Sequence, residues 1–205
     1  MTHYFTNNLD LKSDPKELMI KIMGTNFLFT VDNGVFSKHG LDFGTRTLLE
    51  NLPLEEICGE VLDFGCGYGP IGIFIAKKTK SEVDMIDINE RSLKLAKENA
   101  LKNKVTVNIF KSDIYEKVSK KYNYIISNPP IRVGKEILYK ILFEAKEHLK
   151  ENGKLWIVVN KDQGAKSVIK DLQKVYNVRV TAKNKGFYVI CAQNNWQFVM
   201  IDVKL

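Results

Sequence analysis

The chain has 205 residues, a formal net charge of +7 and a pI of about 9.1. This length suits one α/β domain and is too short for a second catalytic domain, and the positive charge favours an acidic polymer such as RNA as the partner. Cys58, Cys66 and Cys191 have neither metal-site spacing nor that of a disulfide framework, and no segment resembles a signal peptide or a membrane span, so we expect a cytoplasmic protein without a metal.

The N-terminal part of the chain is predicted to form a β-hairpin followed by a helix. Residues 18–22 and 27–31 are largely apolar and flank a segment that contains glycine and asparagine, which is typical of two strands joined by a turn. A helix is expected at residues 44–52. We interpret residues 1–45 as an elaboration of the domain that follows.

A glycine-rich turn follows the first strand of that domain. Residues 61–72 read VLDFGCGYGPIG, in which Gly65 and Gly67 allow tight backbone geometry and the close approach of a ligand. The spacing differs from the dinucleotide fingerprint, and Asp63 before the first glycine would repel a phosphate but suit an ammonium group. Cys66 within the turn is interpreted as a small buried residue beside a cofactor rather than as a nucleophile.

Two further acidic residues follow strands and extend this ligand pattern. Residues 82–87 predict a strand that ends at Asp87, about 20 residues beyond the glycines, where an acid typically binds ribose hydroxyls. A third strand at residues 105–110 is followed by Asp113, which can accept a hydrogen bond from an adenine amine. An ammonium group, a ribose and an adenine occur together in S-adenosyl-L-methionine, which we expect as the cofactor.

The strand predicted at residues 122–127 ends in Asn128, Pro129 and Pro130. A conjugated amine is a poor nucleophile until acceptors hold both of its hydrogens, and the Asn128 oxygen and the Pro129 carbonyl can supply two such acceptors. The prolines restrict the loop and remove competing N–H donors. The alternative is that two prolines simply end a strand.

The remaining segments continue the alternation of strands and helices, which predicts a mainly parallel, doubly wound sheet. We expect one domain over residues 1–205, and residues 193–205 stay unassigned. The elements predicted after residue 130 are a helix at 137–149, a strand at 154–159, a helix at 162–176 and a hairpin of residues 177–181 and 187–192.

Residues 57–192 resemble the class I S-adenosylmethionine-dependent methyltransferases. More narrowly, the segments GVFSKHGLDFGTRTLL (34–49), VLDFGCGYGPIG and NPPIRVGK (128–135) resemble the catalytic domain of the ribosomal RNA small subunit methyltransferase C family, which methylates the exocyclic N2 amine of a guanine in 16S ribosomal RNA. The resemblance implies a Rossmann-like, seven-stranded sheet with a terminal antiparallel strand. The fuller family enzyme has a further degenerate methyltransferase-like domain, for which this chain is too short.

The resemblance also implies roles for individual residues. Ile131 stands where many related enzymes have an aromatic residue, so a stacking ring would have to come from Phe36, Phe43 or Tyr68. Arg132 has two interpretations. It contacts the guanine or a phosphate of the substrate, or it is an ordinary surface arginine. The implied cofactor residues are Phe36, Thr45, Asp63, Gly65, Cys66, Gly67, Asp87 and Asp113, the implied catalytic residues are Asn128, Pro129 and Pro130, and the implied substrate residues are Ile131 and Arg132.

These observations lead to the hypothesis of an RNA methyltransferase that acts on guanine N2 in ribosomal RNA or in the small ribosomal subunit. One alternative is a protein glutamine-N5 methyltransferase, since such enzymes also use Asn-Pro-Pro, although typically followed by tyrosine. Another is a noncatalytic RNA-binding module with a methyltransferase fold. The oligomeric state stays open.

Overall fold

The computed structural model describes residues 12–35, 37, 40–130 and 133–194. These residues form a seven-stranded sheet, a separate two-stranded hairpin and α-helices on both faces of the sheet. The strands are β1 (Lys16–Ile22), β2 (Thr25–Val31), β3 (Glu60–Phe64), β4 (Glu82–Asp87), β5 (Asn108–Lys111), β6 (Tyr122–Ser127), β7 (Leu149–Asn160), β8 (Asn177–Asn184) and β9 (Phe187–Gln193). The α-helices are α1 (Phe43–Glu50), α2 (Pro70–Lys78), α3 (Glu90–Lys102), α4 (Lys135–Glu144) and α5 (Ala165–Leu172).

The seven-stranded sheet has the order β5-β4-β3-β6-β7-β9-β8. The first five strands of this order are parallel, and β9 pairs antiparallel with both β7 and β8. This confirms the predicted Rossmann-like sheet with its terminal antiparallel strand. The chain proceeds outward from β3 in one direction and returns to β6 on the other side, so the carboxyl ends of β3 and β6 flank the crevice at which such sheets bind ligands.

Two apolar clusters pack on the two faces of the sheet. Buried side chains of α1, α2, α3 and the β1–β2 hairpin cover one face, and those of α4 and α5 cover the other. Most side chains of the central strands are apolar and buried because both faces of the sheet are covered. In β6, for example, Ile125 points into one cluster and Ile126 into the other, and neither is exposed.

The N-terminal hairpin is attached to the domain by Asn99 of α3 and by Asn103, the residue that caps the C-terminus of this helix. The Asn99 side-chain oxygen accepts from the Thr30 N–H at 2.6 Å, and its amide donates to the Thr30 carbonyl at 2.9 Å. One helical turn later, Asn103 forms the same pair of bonds with Leu28, at 3.1 and 2.7 Å. The two side chains thus take the place of a neighbouring strand along the free edge of β2. Asn99 also donates to the Tyr68 carbonyl in the glycine turn at 2.8 Å, which links the hairpin to the site.

Several strands have bounds that differ from the predicted ones, among them β5 and β7. β5 begins at Asn108 rather than at residue 105, because the Val105 N–H still closes the end of α3 on the Ala100 carbonyl. β7 begins at Leu149, which pairs with Tyr122 before a register shift. The helix predicted at residues 137–149 is α4 followed by a 3-10 turn at Ala145–His148.

The C-terminal helix and hairpin are found in the predicted order. α5 is shorter than the predicted 162–176, because a 3-10 turn at Lys161–Gln163 and Gly164, with a φ of 89°, precede it. β8 and β9 confirm the hairpin. The unassigned tail lies outside the described residues from residue 195 onward, and the single domain over 1–205 stays a prediction. Within the described part of the chain, no helix has the length and apolarity needed to cross a membrane.

Candidate active site

The loops that follow β3, β4, β5 and β6 meet at the carboxyl edge of the sheet and line a cavity of about 210 Å³. Its walls are mainly apolar, from side chains such as Phe64, Ile86 and Ile141. The cavity brings together most of the residues predicted for the site. They are Thr45, Gly65, Cys66, Gly67, Asp87, Asp113, Asn128, Pro129 and Pro130.

The glycine turn is bound to the end of β4. Gly65 and Gly67 have φ values of 69° and 56°, in the left-handed region that favours glycine. A Cβ at either position would meet no atom within 4 Å, so the backbone borders open space where a ligand can approach closely. The Cys66 N–H donates to the Ile86 carbonyl at 2.9 Å, and the Gly67 N–H donates to Asp87 Oδ2 at 2.8 Å.

Asp87 accepts hydrogen bonds from the backbone and can still accept further ones from a ligand in the cavity. Its second oxygen, Oδ1, accepts from the Asn89 N–H at 2.8 Å. Burial raises the pKa of the Asp87 carboxyl, while the backbone donors act in the opposite direction. Each carboxylate oxygen keeps a second lone pair, and the residue is half-buried at the cavity wall, so two hydroxyl donors can still be bound.

Asp63 lies behind the cavity lining rather than on it. Its side chain is fully buried, and Oδ2 accepts from the Gly72 N–H at 2.8 Å. Oδ1 has no hydrogen-bond partner among the described residues. Burial raises the pKa of this carboxyl to about 8, the Gly72 N–H opposes the rise, and the neighbouring Asp87 adds to it. An ammonium group at Oδ1 would remove this unpaired acceptor, so the predicted cofactor contact of Asp63 stays a prediction with a physical reason.

A strained turn after β5 presents Asp113 to the cavity. Asp113 is exposed, and the following Ile114 has a φ of 48°, which is unusual for a β-branched residue. Ser112 holds this turn, because its hydroxyl donates to the Ile114 carbonyl at 3.0 Å and accepts from the Lys117 N–H at 3.1 Å. The sequence indicated Asp113 but not these supporting contacts.

Asn128 is held in one orientation by α1. Its amide nitrogen donates to Asp42 Oδ2 at 3.0 Å and to the Thr45 hydroxyl at 2.9 Å. The same Asp42 oxygen accepts from the Thr45 N–H and thereby caps the N-terminus of α1. Because an ionised carboxylate accepts hydrogen bonds but cannot donate them, it determines which end of the Asn128 amide faces it. The Asn128 oxygen therefore faces away from Asp42 and is left as an acceptor.

The loop that carries Asn128 is attached to the glycine turn. The Ser127 hydroxyl donates to the Phe64 carbonyl at 2.8 Å, which joins the ends of β6 and β3. Pro129 and Pro130 line the cavity, and the Pro129 carbonyl accepts no hydrogen bond from the described residues. Two acceptors, the Asn128 oxygen and the Pro129 carbonyl, are thus available on consecutive residues beside the cavity.

The structure contradicts one predicted site residue, Tyr68, and agrees with the interpretation of another, Cys66. Tyr68 is 2% exposed and packs edge-on against Phe29 with ring centroids 5.5 Å apart, so the structure contradicts its proposed use as a stacking surface for a base. Cys66 is buried, and burial next to Asp87 and Asp63 raises the pKa of its thiol, which agrees with an inert side chain. The predicted contacts of Phe36, Ile131 and Arg132 lie outside the described residues.

The described residues suit S-adenosylmethionine better than a phosphate-bearing cofactor. Asp87 and Asp113 line the apolar cavity beside the glycine turn, and carboxylates at these positions would repel a pyrophosphate. The unpaired Asp63 oxygen and the lone pairs of Asp87 match an ammonium and two hydroxyls. No group of three or more His, Cys, Asp or Glu side chains within the described ranges has the arrangement of a metal site.

Two relatives of known sequence are similar over most of the chain. The uncharacterized protein YbxB of Bacillus subtilis (strain 168) is 42% identical over 196 residues, which covers 93% of this chain and 98% of that protein. Ribosomal RNA small subunit methyltransferase C of Psychromonas ingrahamii is 34% identical over 191 residues, which covers 91% of this chain and 53% of that enzyme. The chain therefore spans about half the length of this second relative.

Solved structures show the same fold. A 16S rRNA N2 methyltransferase (RsmC) of T. thermophilus, in complex with AdoMet and guanosine, superposes with a TM-score of 0.79 at 23% identity and covers 88% of this chain and 51% of that one. A ribosomal protein L11 methylase from Lactobacillus delbrueckii subsp. bulgaricus superposes with a TM-score of 0.65 at 20% identity. The match covers 74% of this chain and 79% of that one.

The family model of the methyltransferase small domain matches residues 26–191, from the second strand of the hairpin to the last strand of the sheet. The matched range includes the glycine turn, the acidic residues after β4 and β5, and the Asn-Pro-Pro loop. The prediction of a methyltransferase that uses S-adenosylmethionine is confirmed at the level of the family, because this chain belongs to the methyltransferase small domain family.

Proposed function

We propose that the protein transfers a methyl group from S-adenosylmethionine to the exocyclic N2 amine of a guanine in 16S ribosomal RNA. The observation that carries the proposal is the orientation of Asn128. Asp42 and Thr45 hold its amide nitrogen, so its oxygen is available to accept a hydrogen bond beside the cavity. Without Asp42, the amide could turn and present donors, which would repel an amine.

The two acceptors of the Asn-Pro-Pro loop suit a planar amine. The nitrogen lone pair of such an amine is delocalised into the ring, and binding of both hydrogens favours a more pyramidal, nucleophilic nitrogen. The Asn128 oxygen would bind one hydrogen and the Pro129 carbonyl the other. Since positive charge develops on the nitrogen during transfer, these preorganised acceptors stabilise the transition state more than the bound substrate.

The cavity residues would bind and orient the methyl donor. S-adenosylmethionine, when bound, supplies an electrophilic methyl group on a sulfonium. Asp87 would accept from the ribose hydroxyls, Asp113 from the adenine amine and Asp63 from the ammonium. The apolar walls around Ile86 exclude water, and the hydrogen bond from Ser127 to Phe64 keeps the amine site and the glycine turn in fixed relation. After transfer, the proton leaves from the cationic nitrogen, and no covalent enzyme intermediate is needed.

The choice of guanine and of ribosomal RNA is supported by the relatives. Ribosomal RNA small subunit methyltransferase C of Psychromonas ingrahamii is 34% identical to this chain, and the similarly folded T. thermophilus enzyme was solved with guanosine. The net charge of +7 suits a polyanionic substrate. Under this proposal the partner is ribosomal RNA or the small ribosomal subunit, and the protein acts in the cytoplasm.

The decisive experiment is transfer of a tritiated methyl group from S-adenosylmethionine to 16S ribosomal RNA and to small subunits that lack methylation. Nucleosides from the product are then identified by mass spectrometry. We expect N2-methylguanosine with the wild type and a loss of about 100-fold or more in kcat with Asn128→Ala, in the range found when an acceptor or donor of a transition-state site is removed. Asn177→Ala, an exposed asparagine at the start of β8, is the matched control and should keep full activity.

The same experiment separates the alternatives. Label in peptides rather than in nucleosides would support a protein glutamine methyltransferase and contradict the RNA proposal. Equal incorporation by wild type and Asn128→Ala would contradict the role given to Asn128. Calorimetry that detects no binding of S-adenosylmethionine would revive the noncatalytic RNA-binding module.

A further inference from the structure

A band of aromatic and lysine side chains continues the carboxyl edge of the sheet beyond the Asn-Pro-Pro loop. We call it the aromatic-lysine edge and define it by Phe43, Phe187, Lys161, Lys183 and Lys185. Lys161 follows the end of β7, Phe187 begins β9, and the other two lysines belong to the end of β8 and the turn after it. Since β7 is adjacent to β6, this edge is next to the strand that carries Asn128.

The aromatic part of the edge is directly connected to the amine site. Phe43 follows Asp42, the residue that binds the Asn128 amide at 3.0 Å, but Phe43 itself is not part of the cavity lining. Its ring lies 5.6 Å from the ring of Phe187, and both residues are half-buried. Gly44 permits this contact, because a Cβ there would be 2.8 Å from a ring carbon of Phe187. The rings are therefore held just outside the cavity, on the side of the target amine.

The lysines of the edge are exposed cations without acidic partners. Lys161, Lys183 and Lys185 are exposed, and none forms an ion pair within the described part of the chain, whereas Lys102 and Lys150 elsewhere each do. The Lys185 ammonium lies 5.3 Å from the centroid of Phe43, and that of Lys183 lies 4.9 Å from the centroid of Tyr188. The Lys161 N–H donates to the Gly186 carbonyl at 2.7 Å, which brings the end of β7 and the β8–β9 turn together.

We propose that the aromatic-lysine edge binds single-stranded RNA next to the target nucleotide, an inference that rests on the proposed function. A base beside the target stacks on Phe43, and Lys161, Lys183 and Lys185 contact the phosphates. Base stacking on an aromatic ring is stronger than an exposed cation–π contact, so a base can replace the flexible Lys185 side chain over the ring and free its ammonium for a phosphate.

The combination of groups selects nucleic acid over an acidic protein. An acidic peptide would be attracted by the lysines but would gain little from a fixed aromatic ring, whereas a flexible single strand offers both phosphates and the π-face of a base.

The lysine part is tested by the salt dependence of RNA binding. A labelled single-stranded RNA oligonucleotide is titrated with wild type and with the triple variant Lys161→Gln, Lys183→Gln, Lys185→Gln. Single-strand phosphate contacts contribute about 0.7 each to the slope of log K against log salt, so we expect the slope to fall by roughly 2 between about 50 and 200 mM salt. The control is the triple variant Lys80→Gln, Lys97→Gln, Lys121→Gln, which removes the same charge from three exposed lysines away from the edge and should keep the slope.

The aromatic part is tested with Phe43→Leu, which keeps an apolar side chain against Phe187. We expect RNA binding to weaken by about ten-fold, and KM for RNA to rise by a similar factor with kcat and cofactor affinity unchanged. A thermal scan establishes that the variant is folded. Because the lysine variants do not touch the core, they keep the proposal testable if Phe43→Leu fails to fold.

The outcomes separate this proposal from the proposed function. One outcome is that the wild type methylates RNA while the lysine and Phe43 variants match it in salt-dependence slope, RNA affinity and KM. In that case the proposed role of the aromatic-lysine edge is wrong, and the proposed function is unaffected. If no RNA is methylated but these variants weaken RNA binding as expected, the aromatic-lysine edge does bind RNA and the proposed function is wrong. A loss of polyglutamate binding as large as that of RNA binding, with no effect of Phe43→Leu, would overturn the assignment to nucleic acid.

Discussion

Asp42 belongs to the segment 34–49 that carries the family resemblance, and its side chain organises the site. A single oxygen of its side chain accepts from the Thr45 N–H and from the Asn128 amide, so it caps α1 and orients Asn128 at the same time. The sequence predicted Asn128, because Asn-Pro-Pro after an apolar strand is a local pattern. It did not predict this role of Asp42, since the two residues are 86 positions apart and meet only through tertiary packing.

We expect Asp42→Asn to lower kcat by about 10- to 100-fold, which is the equivalent of one charge-assisted hydrogen bond. Asparagine caps a helix as well as aspartate does, so α1 should stay folded, but its amide can donate and no longer fixes the direction of Asn128. Single-turnover kinetics, calorimetry with the cofactor and thermal unfolding check this. An unchanged kcat, or a loss explained by weaker cofactor binding, would contradict the positioning role.

Asp63 makes the stability of the cofactor-free protein depend on pH. Its pKa is about 8 in the folded protein, compared with the ordinary value of 3.8. The folded state therefore keeps a proton that the unfolded state releases, and the stability contribution that is complete below the ordinary pKa is lost as the pH rises toward 8. We expect denaturant midpoints of the wild type to fall between pH 5 and pH 9 relative to those of Asp63→Asn. Asp162→Asn, at an exposed position, is the control, and parallel curves for all three proteins would refute the assignment.

At the scale of elements, α3 acts as a partner strand for the hairpin. Asn99 and Asn103 satisfy the backbone of β2 at Thr30 and Leu28. The apolar periodicity of α3 predicted a helix with a buried face, and the structure confirms it. The periodicity could not predict that two polar residues on that helix are buried, because their burial is possible only where β2 provides unpaired donors and acceptors.

Replacement of Asn99 by alanine should destabilise the protein by about 3 kcal/mol, because the buried Thr30 N–H, the Thr30 carbonyl and the Tyr68 carbonyl lose their partner. Urea unfolding gives the free energy, and hydrogen exchange should show faster exchange of the Thr30 amide. Asn177→Ala, which removes an exposed amide, should change the free energy of unfolding by less than about 0.5 kcal/mol. Slow exchange of Thr30 in the Asn99 variant would disprove the edge contact.

The order and type of the elements were predictable, but several of their ends were not. Alternating apolar strands and helices with glycine and proline boundaries indicated every element of the sheet. The ends depend on contacts between distant segments, as with Leu149, which joins β7 because it pairs with Tyr122. Likewise, the apolar residues 105–107 read as a strand, although Val105 completes the end of α3 instead.

On the scale of the whole molecule, the sheet topology explains why the predicted site residues meet. Asp87 ends a parallel strand, and Gly65, Asp113 and Asn128 follow three others, so these residues converge at one edge although they are distributed along 64 positions of sequence. This convergence was predictable from the alternation of elements. The contribution of α1 to the site was predictable only in part. Thr45 was assigned to the cofactor and Phe43 was a candidate stacking ring, but the contact of Asp42 with Asn128 was not predicted.

Cofactor binding at this edge should stabilise the whole fold. S-adenosylmethionine at about 100 times its Kd is expected to add about 2.7 kcal/mol, which corresponds to a Tm rise of roughly 5–10 °C for a chain of this size. Asp87→Ala should lose most of this rise, since the carboxylate both binds the Gly67 N–H and faces the cavity. Thermal scans with and without the cofactor measure the rise in Tm, and Asp162→Ala is the control. An equal rise in both variants would exclude Asp87 from the cofactor site.

The bond from Asn99 to the Tyr68 carbonyl has a consequence for protein engineering. A designer who wished to reduce this enzyme to its smallest working scaffold would be tempted to delete the hairpin and begin near residue 40. Such a truncation would remove the backbone groups of β2 to which Asn99 and Asn103 are bonded, while Asn99 also holds the turn that borders the cavity. We expect the shortened chain to give insoluble or inactive material, and the same protein with the hairpin retained to remain a usable starting point.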